Sequence, residues 1–204
     1  MGLAIPEFRK VLTFSACSAF AVILFQIFSW HLIHVWTPFL HYPIGIAVGV
    51  GFLAATLLSL IYLLFRVRKE GLRAFLPFLI QITAFAVLYF VPIDAVVLDL
   101  DFKINLNKRM EIVRRIEAGE FSVSERGLVQ LPFGYGYLSR GGGEVIVERD
   151  GVSTKVFFFT YRGILDNFSG FAYTSEETLD RTAFNGDFKE LNKLRDHWYW
   201  AASW

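Results

Sequence analysis

Charged residues are scarce in this sequence, and one long stretch has none. Only 19% of the 204 residues are Asp, Glu, Lys or Arg, whereas an ordinary soluble domain carries about 25%. Residues 11–65 contain none of the four. Because a soluble fold cannot bury so much uncharged chain in one stretch, the sequence predicts a membrane protein. The formal net charge of +1 argues against direct nucleic-acid binding, since duplex binding needs a cluster of cations.

Cysteine is almost absent. The one cysteine, Cys17, lies in the first apolar segment, so the C-terminal half has no disulfide and must be held by packing alone. Ten Phe, five Tyr and three Trp after Ile93 make this feasible, because each ring can bury ~150–250 Å².

Three apolar segments are long enough to cross a bilayer. They cover about residues 11–35, 44–65 and 74–93, and ~20 helical residues span a core of ~30 Å. A cleaved signal peptide is the competing interpretation of the first segment. Its apolar part is too long, and the bulky His31, His34 and Trp36 are followed by no small-residue cleavage site. We predict a three-span domain over residues 1–93 and a second domain over residues 94–204.

Basic residues predict the orientation. No Lys or Arg lies in the 37–43 loop, whereas the N-terminus and the 66–73 loop hold Arg9, Lys10, Arg66, Arg68, Lys69 and Arg73. The positive-inside rule places both of these regions in the cytoplasm and residues 94–204 outside it, in the periplasm or at the cell surface. The four cations of the 66–73 loop are also candidates for contact with anionic lipid or a cytoplasmic partner.

Small and polar residues within the spans suggest helix contacts. Gly45, Gly49 and Gly51 would let two helix backbones approach closely, either in a homo-oligomer or within one chain. Gln26 and Gln81 should hydrogen-bond across helices, because an unsatisfied amide in hydrocarbon is costly. No charged residue lies inside a span, so a transporter is not favoured.

Three of the four histidines lie at the outer end of the first span and in the loop after it. His31, His34 and His41 would suit a metal ion or a sensor of external pH. The alternative is that histidine simply tolerates the interface. We favour it, because no Cys or carboxylate accompanies the cluster, and we expect no cofactor.

The pattern after Ile93 predicts a small extracytoplasmic α+β domain with an antiparallel sheet. Alternation predicts a strand over residues 97–104, and Ile112, Val113 and Ile116 mark a helix over 107–118 that ends at Gly119. Strands over 144–149 and 154–161 flank an Asp150-Gly151 hairpin turn. The run 156–161 is apolar on both faces and should be central. We further expect a strand at 170–174, a helix at 188–194 and a closing edge strand at 198–204.

Two polar loops of this domain are candidate sites. Residues 140–143, Arg-Gly-Gly-Gly, could form an anion nest, although a flexible lead-in to the hairpin is favoured because a strand follows. The predicted ligand or partner contacts are Arg140, Arg162, Asp166, Asn167 and Ser169. Asp166 could instead pair with Arg162 or, like Asn167, bond its own backbone in a turn. No base lies near Ser169 in the sequence, so we predict no enzyme.

Residues 138–173 and the segment His197-Trp-Tyr-Trp200 resemble parts of small uncharacterised bacterial membrane proteins. The resemblance covers roughly the last third of the chain. It implies a bacterial inner-membrane setting, and it brings no activity and no site residues.

The functional hypothesis is a non-enzymatic membrane sensing or binding subunit. We expect it to be a homo-oligomer in contact with membrane lipid, and to work with a protein partner such as an effector, toxin or envelope protein. Its layout is similar to that of the membrane component of two-component defence systems such as Kiwa, which suggests phage defence or toxin immunity. The alternatives are a structural accessory subunit of an envelope complex and a metal-binding membrane protein built on the three histidines.

Overall fold

The computed structural model describes residues 7–151, 153–163 and 167–203, without the side chains of residues 30, 31 and 33–38. The chain divides into two compact units, Met1–Leu98 and Asp99–Trp204. The division falls inside a continuous helix, so these two units share one element.

The first unit is helical. Its elements are α1 (Phe8–Glu70), a 3₁₀ turn (Gly71–Phe75), α2 (Leu76–Phe90) and the start of α3 (Ile93–Glu117). Two stretches are long and apolar enough to cross a membrane, Phe8–Ser29 and Phe39–Phe90. Helical backbone continues through the predicted loop at 37–43 and then, beyond the second predicted span, as far as Glu70. The loop predicted at 66–73 is therefore helix and a 3₁₀ turn.

Contacts within α1 show that its two portions run antiparallel. Val11 shares a buried cluster with Tyr62 and Ala74, although 51 residues of straight helix would separate Val11 from Tyr62 by about 77 Å. Farther along, Ala19 packs with Phe52 and Ala84. The portions before and after residues 30–38 therefore lie side by side, and α2 packs against both.

Polar side chains join the three helical portions. The Gln81 amide donates to the Ser15 carbonyl oxygen and the Ser18 hydroxyl, both at 2.9 Å, and accepts from the Thr56 hydroxyl at 3.3 Å. Gln26 donates to both carboxylate oxygens of Asp94 at 3.1 Å. The predicted cross-helix hydrogen bonds of both glutamines are confirmed.

The second unit contains one antiparallel sheet of six strands in the order β1-β2-β3-β4-β6-β5. The strands are β1 (Leu128–Gln130), β2 (Glu144–Asp150), β3 (Ser153–Arg162), β4 (Phe168–Thr174), β5 (Glu190–Arg195) and β6 (Trp198–Ser203). The predicted β2–β3 hairpin, the central place of β3 and the strand at 170–174 are confirmed.

Each face of the sheet is covered by a different segment. On one face, Phe102 of α3 contacts the rings of Phe171 and Trp198 at centroid distances of 5.1 and 5.6 Å. On the other, Phe157 packs with Phe184 and Phe188, which belong to the connection between β4 and β5. The sheet is thus the middle layer of a three-layer core.

Two predicted elements are wrong, and the strand predicted at 198–204 forms but does not lie at the edge of the sheet. Residues 97–104 belong to α3 and form no strand, because the alternating Leu100 and Ile104 are exposed while Phe102 packs on the sheet. Residues 190–195 form β5 and no helix, since they pair with β6. That pairing also makes β6 an inner strand and leaves β5 at the edge. Trp204 lies outside the described residues.

The predicted helix over 107–118 is confirmed as the second half of α3, with Ile112, Val113 and Ile116 fully buried. Its end is set by Gly119, whose φ is +77°. The backbone N–H of Glu120 donates to the Arg115 carbonyl oxygen at 3.0 Å, as is common where a glycine ends a helix.

Candidate functional site

An open pocket of about 450 Å³ lies between α3 and the end of the sheet where β5 turns into β6. We call it the α3–β6 pocket. Helix α3 lines it with Leu106, Asn107, Met110 and Arg114, and the strands and their turn line it with Tyr173, Arg195, Asp196, His197 and Trp198. The helical residues share a face because positions three, four and seven apart are neighbours on a helix.

His197 occupies the second position of the two-residue turn that joins β5 to β6. Its φ of +66° is unusual for a residue other than glycine. The imidazole Nδ1 lies 3.0 Å from the Thr174 carbonyl oxygen and 3.2 Å from that of Glu176. Because carbonyl oxygens only accept, Nδ1 carries the proton and donates, which leaves Nε2 as the acceptor of the neutral ring.

The two arginines of the pocket are uncompensated. Arg114 and Arg195 are exposed and make no ion pair or hydrogen bond with any described residue. The acidic lining residue, Asp196, pairs with Lys193 at 3.4 Å. The pocket therefore carries an excess of positive charge.

The remaining walls are aromatic and apolar. The Trp198 indole N–H donates to the Met110 sulfur at 3.3 Å, and the Tyr173 hydroxyl donates to Glu117 Oε1 at 3.3 Å. Burial raises the pKa of the Tyr173 hydroxyl, and the Glu117 carboxylate raises this pKa further. Tyr173 is therefore a neutral wall residue at physiological pH.

Beneath the sheet face that α3 covers, Arg109 forms a buried ion pair. Its side chain is 1% exposed, pairs with the Asp101 carboxylate and donates to the Asp101 carbonyl oxygen at 3.1 Å. Its guanidinium also lies 4.4 Å from the centre of the Phe171 ring. Burial lowers the pKa of Arg109, opposed by Asp101. The ion pair lies within α3, and the contact with Phe171 joins Arg109 to the sheet.

Of the residues predicted for the loop site, Arg162 already has partners in the structure. Arg162 donates to Glu144 Oε2 at 2.7 Å and stacks over Phe159 at 5.0 Å. Asp166, which was predicted to pair with Arg162 as one alternative, lies outside the described residues. The Arg140 guanidinium has no partner within the described ranges, and Asn167 is exposed.

Ser169 lies in the interior. Its side chain is fully buried, and its hydroxyl lies 3.2 Å from the Thr160 hydroxyl in the sheet. It therefore presents no group to a ligand at the surface.

The glycine-rich loop is well ordered by hydrogen bonds. Gln130 donates to the carbonyl oxygens of Gly142 and Gly143 at 2.9 and 3.2 Å. Gly143 has a φ of +74°, and a Cβ there would lie 2.8 Å from the Gly136 Cα. Close backbone approach, which only glycine permits, explains this residue.

Of the candidate histidine ligands, the structure describes only the side chain of His41. It is buried, stacks on Phe25 at 5.1 Å, and its Nε2 lies 3.3 Å from the Ser29 hydroxyl. The side chains of His31 and His34 lie outside the described residues. Elsewhere in the described chain no group of three or more His, Cys, Asp or Glu residues could hold a metal ion.

The three span glycines have different surroundings. A Cβ at Gly45 would lie 3.0 Å from the Phe25 ring, so this glycine serves packing within the chain. At Gly49 and Gly51 a Cβ would meet nothing within 4 Å.

The basic residues of the first unit gather at one end. Phe8 contacts Tyr62 at a ring distance of 6.3 Å, which brings Arg9 and Lys10 to the end that also carries the 66–73 segment. Arg68, Lys69 and Arg73 are exposed there, whereas Arg66 pairs with Glu70 at 4.0 Å.

Sequence reasoning missed the α3–β6 pocket. Arg114 and Arg195 look like ordinary surface residues in the sequence, and 81 positions separate them. The positive φ that directs His197 has no sequence signal, because a turn of this kind usually carries Gly or Asn.

The chain matches no protein-family model, no curated protein and no solved structure.

Proposed function

We propose that this chain is a non-enzymatic sensing subunit of the bacterial inner membrane, which binds a ligand outside the cytoplasm and works with a protein partner. One observation supports it above the others. Helix α3 provides a wall of the α3–β6 pocket, and the same helix begins at Ile93 in the apolar helical unit. A ligand in the pocket would thus contact a helix whose first turn is held through Asp94 by Gln26.

The membrane part of the proposal has three spans, at about 11–35, 44–65 and 74–93. Support comes from the antiparallel contacts of the two portions of α1 with α2. It also comes from the low burial of the apolar stretches, since only 17% of the most apolar part of each stretch is buried. A core helix of a soluble protein would be mostly covered.

The orientation has the N-terminus in the cytoplasm and the second unit outside. The gathering of all six basic residues of the first unit at one end supports it, because Lys and Arg flanking spans are retained in the cytoplasm. The exposed Arg68, Lys69 and Arg73 are then available to anionic lipid or to a cytoplasmic partner.

Impermeant maleimide labelling of spheroplasts tests the orientation. In a Cys17→Ser background, which has no other cysteine, we expect Glu125→Cys to be labelled in intact spheroplasts. The matched Lys69→Cys should be labelled only after permeabilisation. The opposite pattern would remove the proposal, because the pocket would then face the cytoplasm.

The proposed biological setting is phage defence or toxin immunity, and it rests on layout alone. Cells that carry the gene with its neighbours should show fewer phage plaques than cells with the gene deleted. Equal plaque counts across a phage panel, together with copurification of a constitutive envelope complex, would instead favour a structural accessory role.

A further inference from the structure

We infer that the α3–β6 pocket takes a small organic anion, in which a carboxylate or phosphate is joined to a flat apolar group. The inference rests on the proposed function for its biological meaning and adds the chemical class of the ligand. None of the predicted ligand or partner contacts lines this pocket.

The free guanidinium groups are the first argument. Five of the nine arginines of the second unit, Arg109, Arg115, Arg149, Arg162 and Arg181, each bond a carboxylate or a carbonyl oxygen. The side chains of the other four have no partner within the described chain, and two of these four, Arg114 and Arg195, line the same pocket. Guanidinium groups bind carboxylate and phosphate oxygens with paired, charge-assisted hydrogen bonds.

The pocket offers such a ligand little competition. Asp196 is already paired with Lys193. An anionic ligand would therefore meet two positive groups that no carboxylate of the lining neutralises.

The apolar wall is the second argument. The donor groups of Trp198 and Tyr173 are already used, by the Met110 sulfur and by Glu117. Trp198 and Tyr173 are 1% and 8% exposed, so only a small part of each ring reaches the pocket, and the half-buried Leu106 and Met110 add apolar contacts. A flat apolar group fits such a wall better than a hydrated ion does.

His197 adds a hydrogen-bond acceptor to the pocket. Because its Nδ1 donates to two backbone carbonyl oxygens, the neutral ring has only the acceptor Nε2 to offer. A hydroxyl or N–H of the ligand would satisfy it. The Thr174 and Glu176 carbonyl oxygens hold the imidazole in place, so this contact is preformed.

The volume sets the size of the ligand. About 450 Å³ lies within the range of roughly 300–1,000 Å³ that small-molecule sites show. The pocket is therefore large enough for a one-ring or two-ring compound.

Calorimetric titration of the full chain in nanodiscs of neutral phosphatidylcholine tests the class of ligand. The probes are phenyl phosphate and benzoate, with benzyl alcohol, benzylamine and inorganic phosphate as comparisons. We expect saturable binding of at least one aromatic anion, about tenfold tighter than benzyl alcohol or inorganic phosphate, and no binding of benzylamine. Which anion binds separates a phosphate ligand from a carboxylate one.

Variants locate the binding. Arg114→Gln and Arg195→Gln should each weaken binding of the aromatic anion about tenfold, because each removes a charged hydrogen-bond donor. Arg126→Gln is the matched control, since Arg126 is also exposed and has no partner in the described chain. It should change affinity less than twofold. Unchanged far-UV circular dichroism will show that the variants fold.

Three results would overturn the inference: no saturable binding of either aromatic anion, equal binding of benzyl alcohol or inorganic phosphate, or an equal loss in Arg126→Gln. The labelling experiment uses no ligand, and the result of this titration does not depend on which side of the membrane the pocket faces. Failure of the inference and failure of the proposed function are thus separate outcomes.

Discussion

The two units of the chain place apolar side chains in opposite ways. Among the described residues, 23 large apolar side chains are exposed in Met1–Leu98, against six in Asp99–Trp204. The first unit exposes side chains such as Leu57 and Phe90, whereas the second buries rings such as Phe157. Because exposed apolar faces suit a lipid solvent, the contrast indicates different surroundings for the two units.

Truncation of one buried and one exposed apolar residue should give the largest difference. Phe157→Ala removes a fully buried ring that contacts Phe168, Phe184 and Phe188, and should lower the free energy of unfolding by about 3–5 kcal/mol. Leu57→Ala, at a side chain 60% exposed, should cost less than about 1 kcal/mol in lipid. Urea titration of the full chain in nanodiscs, followed by circular dichroism, measures both. Equal losses would break the comparison.

Two carboxylates of α3 allow a second comparison, between a buried and an exposed ion pair, with a smaller expected effect. Asp101→Asn leaves the buried Arg109 without its ion-pair partner, and should cost about 2–3 kcal/mol, at the low end for a buried pair because Asp101 is 28% exposed. Asp99→Asn breaks only a surface pair with Lys103 and should cost at most about 0.5 kcal/mol. The same urea titration compares them. A similar cost for both variants would show that the buried Arg109 does not depend on Asp101 as its partner.

The smallest expected effect concerns the helical unit. Gln81→Leu removes the hydrogen bonds to Ser15, Ser18 and Thr56, and should lower the stability of the helices by about 1–2 kcal/mol. Thr83→Ala, at an exposed position of α2, is the control and should have almost no effect. Thermal unfolding in one detergent gives both values. If the leucine variant were more stable, these polar contacts would not hold the helices together.

Strong local signals allowed part of the second unit to be predicted. The Asp150-Gly151 turn and the apolar run of β3 each depend on neighbouring residues, so the hairpin and its central strand follow from sequence. The start of α3 does not. Phe102, Arg109 and Ile116 are spaced by seven and lie on one buried face, but a charged residue in the middle conceals the helical period.

The edge of the sheet shows a second limit. Phe188, Leu191 and Leu194 have the spacing of a helix, yet residues 190–195 form β5 by pairing with β6. Exposed charged side chains on that strand are typical of edge strands, and they also suit a helix. Pairing between strands is a tertiary contact that the sequence pattern does not contain.

The candidate site was the least predictable part for the same reason. Its cations come from α3 and β5, and only the folded chain brings them to one pocket. Arg140, beside three glycines, and Arg162, at the end of β3, were easier to notice because sequence reasoning favours residues that stand out locally.

The basic end of the first unit also gives the chain an electrical preference. Its six cations and the two carboxylates of Glu7 and Glu70 leave a net charge of four. In the proposed orientation, with a voltage that is negative inside the cell, moving this charge to the outer side would require about 9 kcal/mol of work per 100 mV. A molecule inserted in that orientation would therefore be held in it by the membrane voltage.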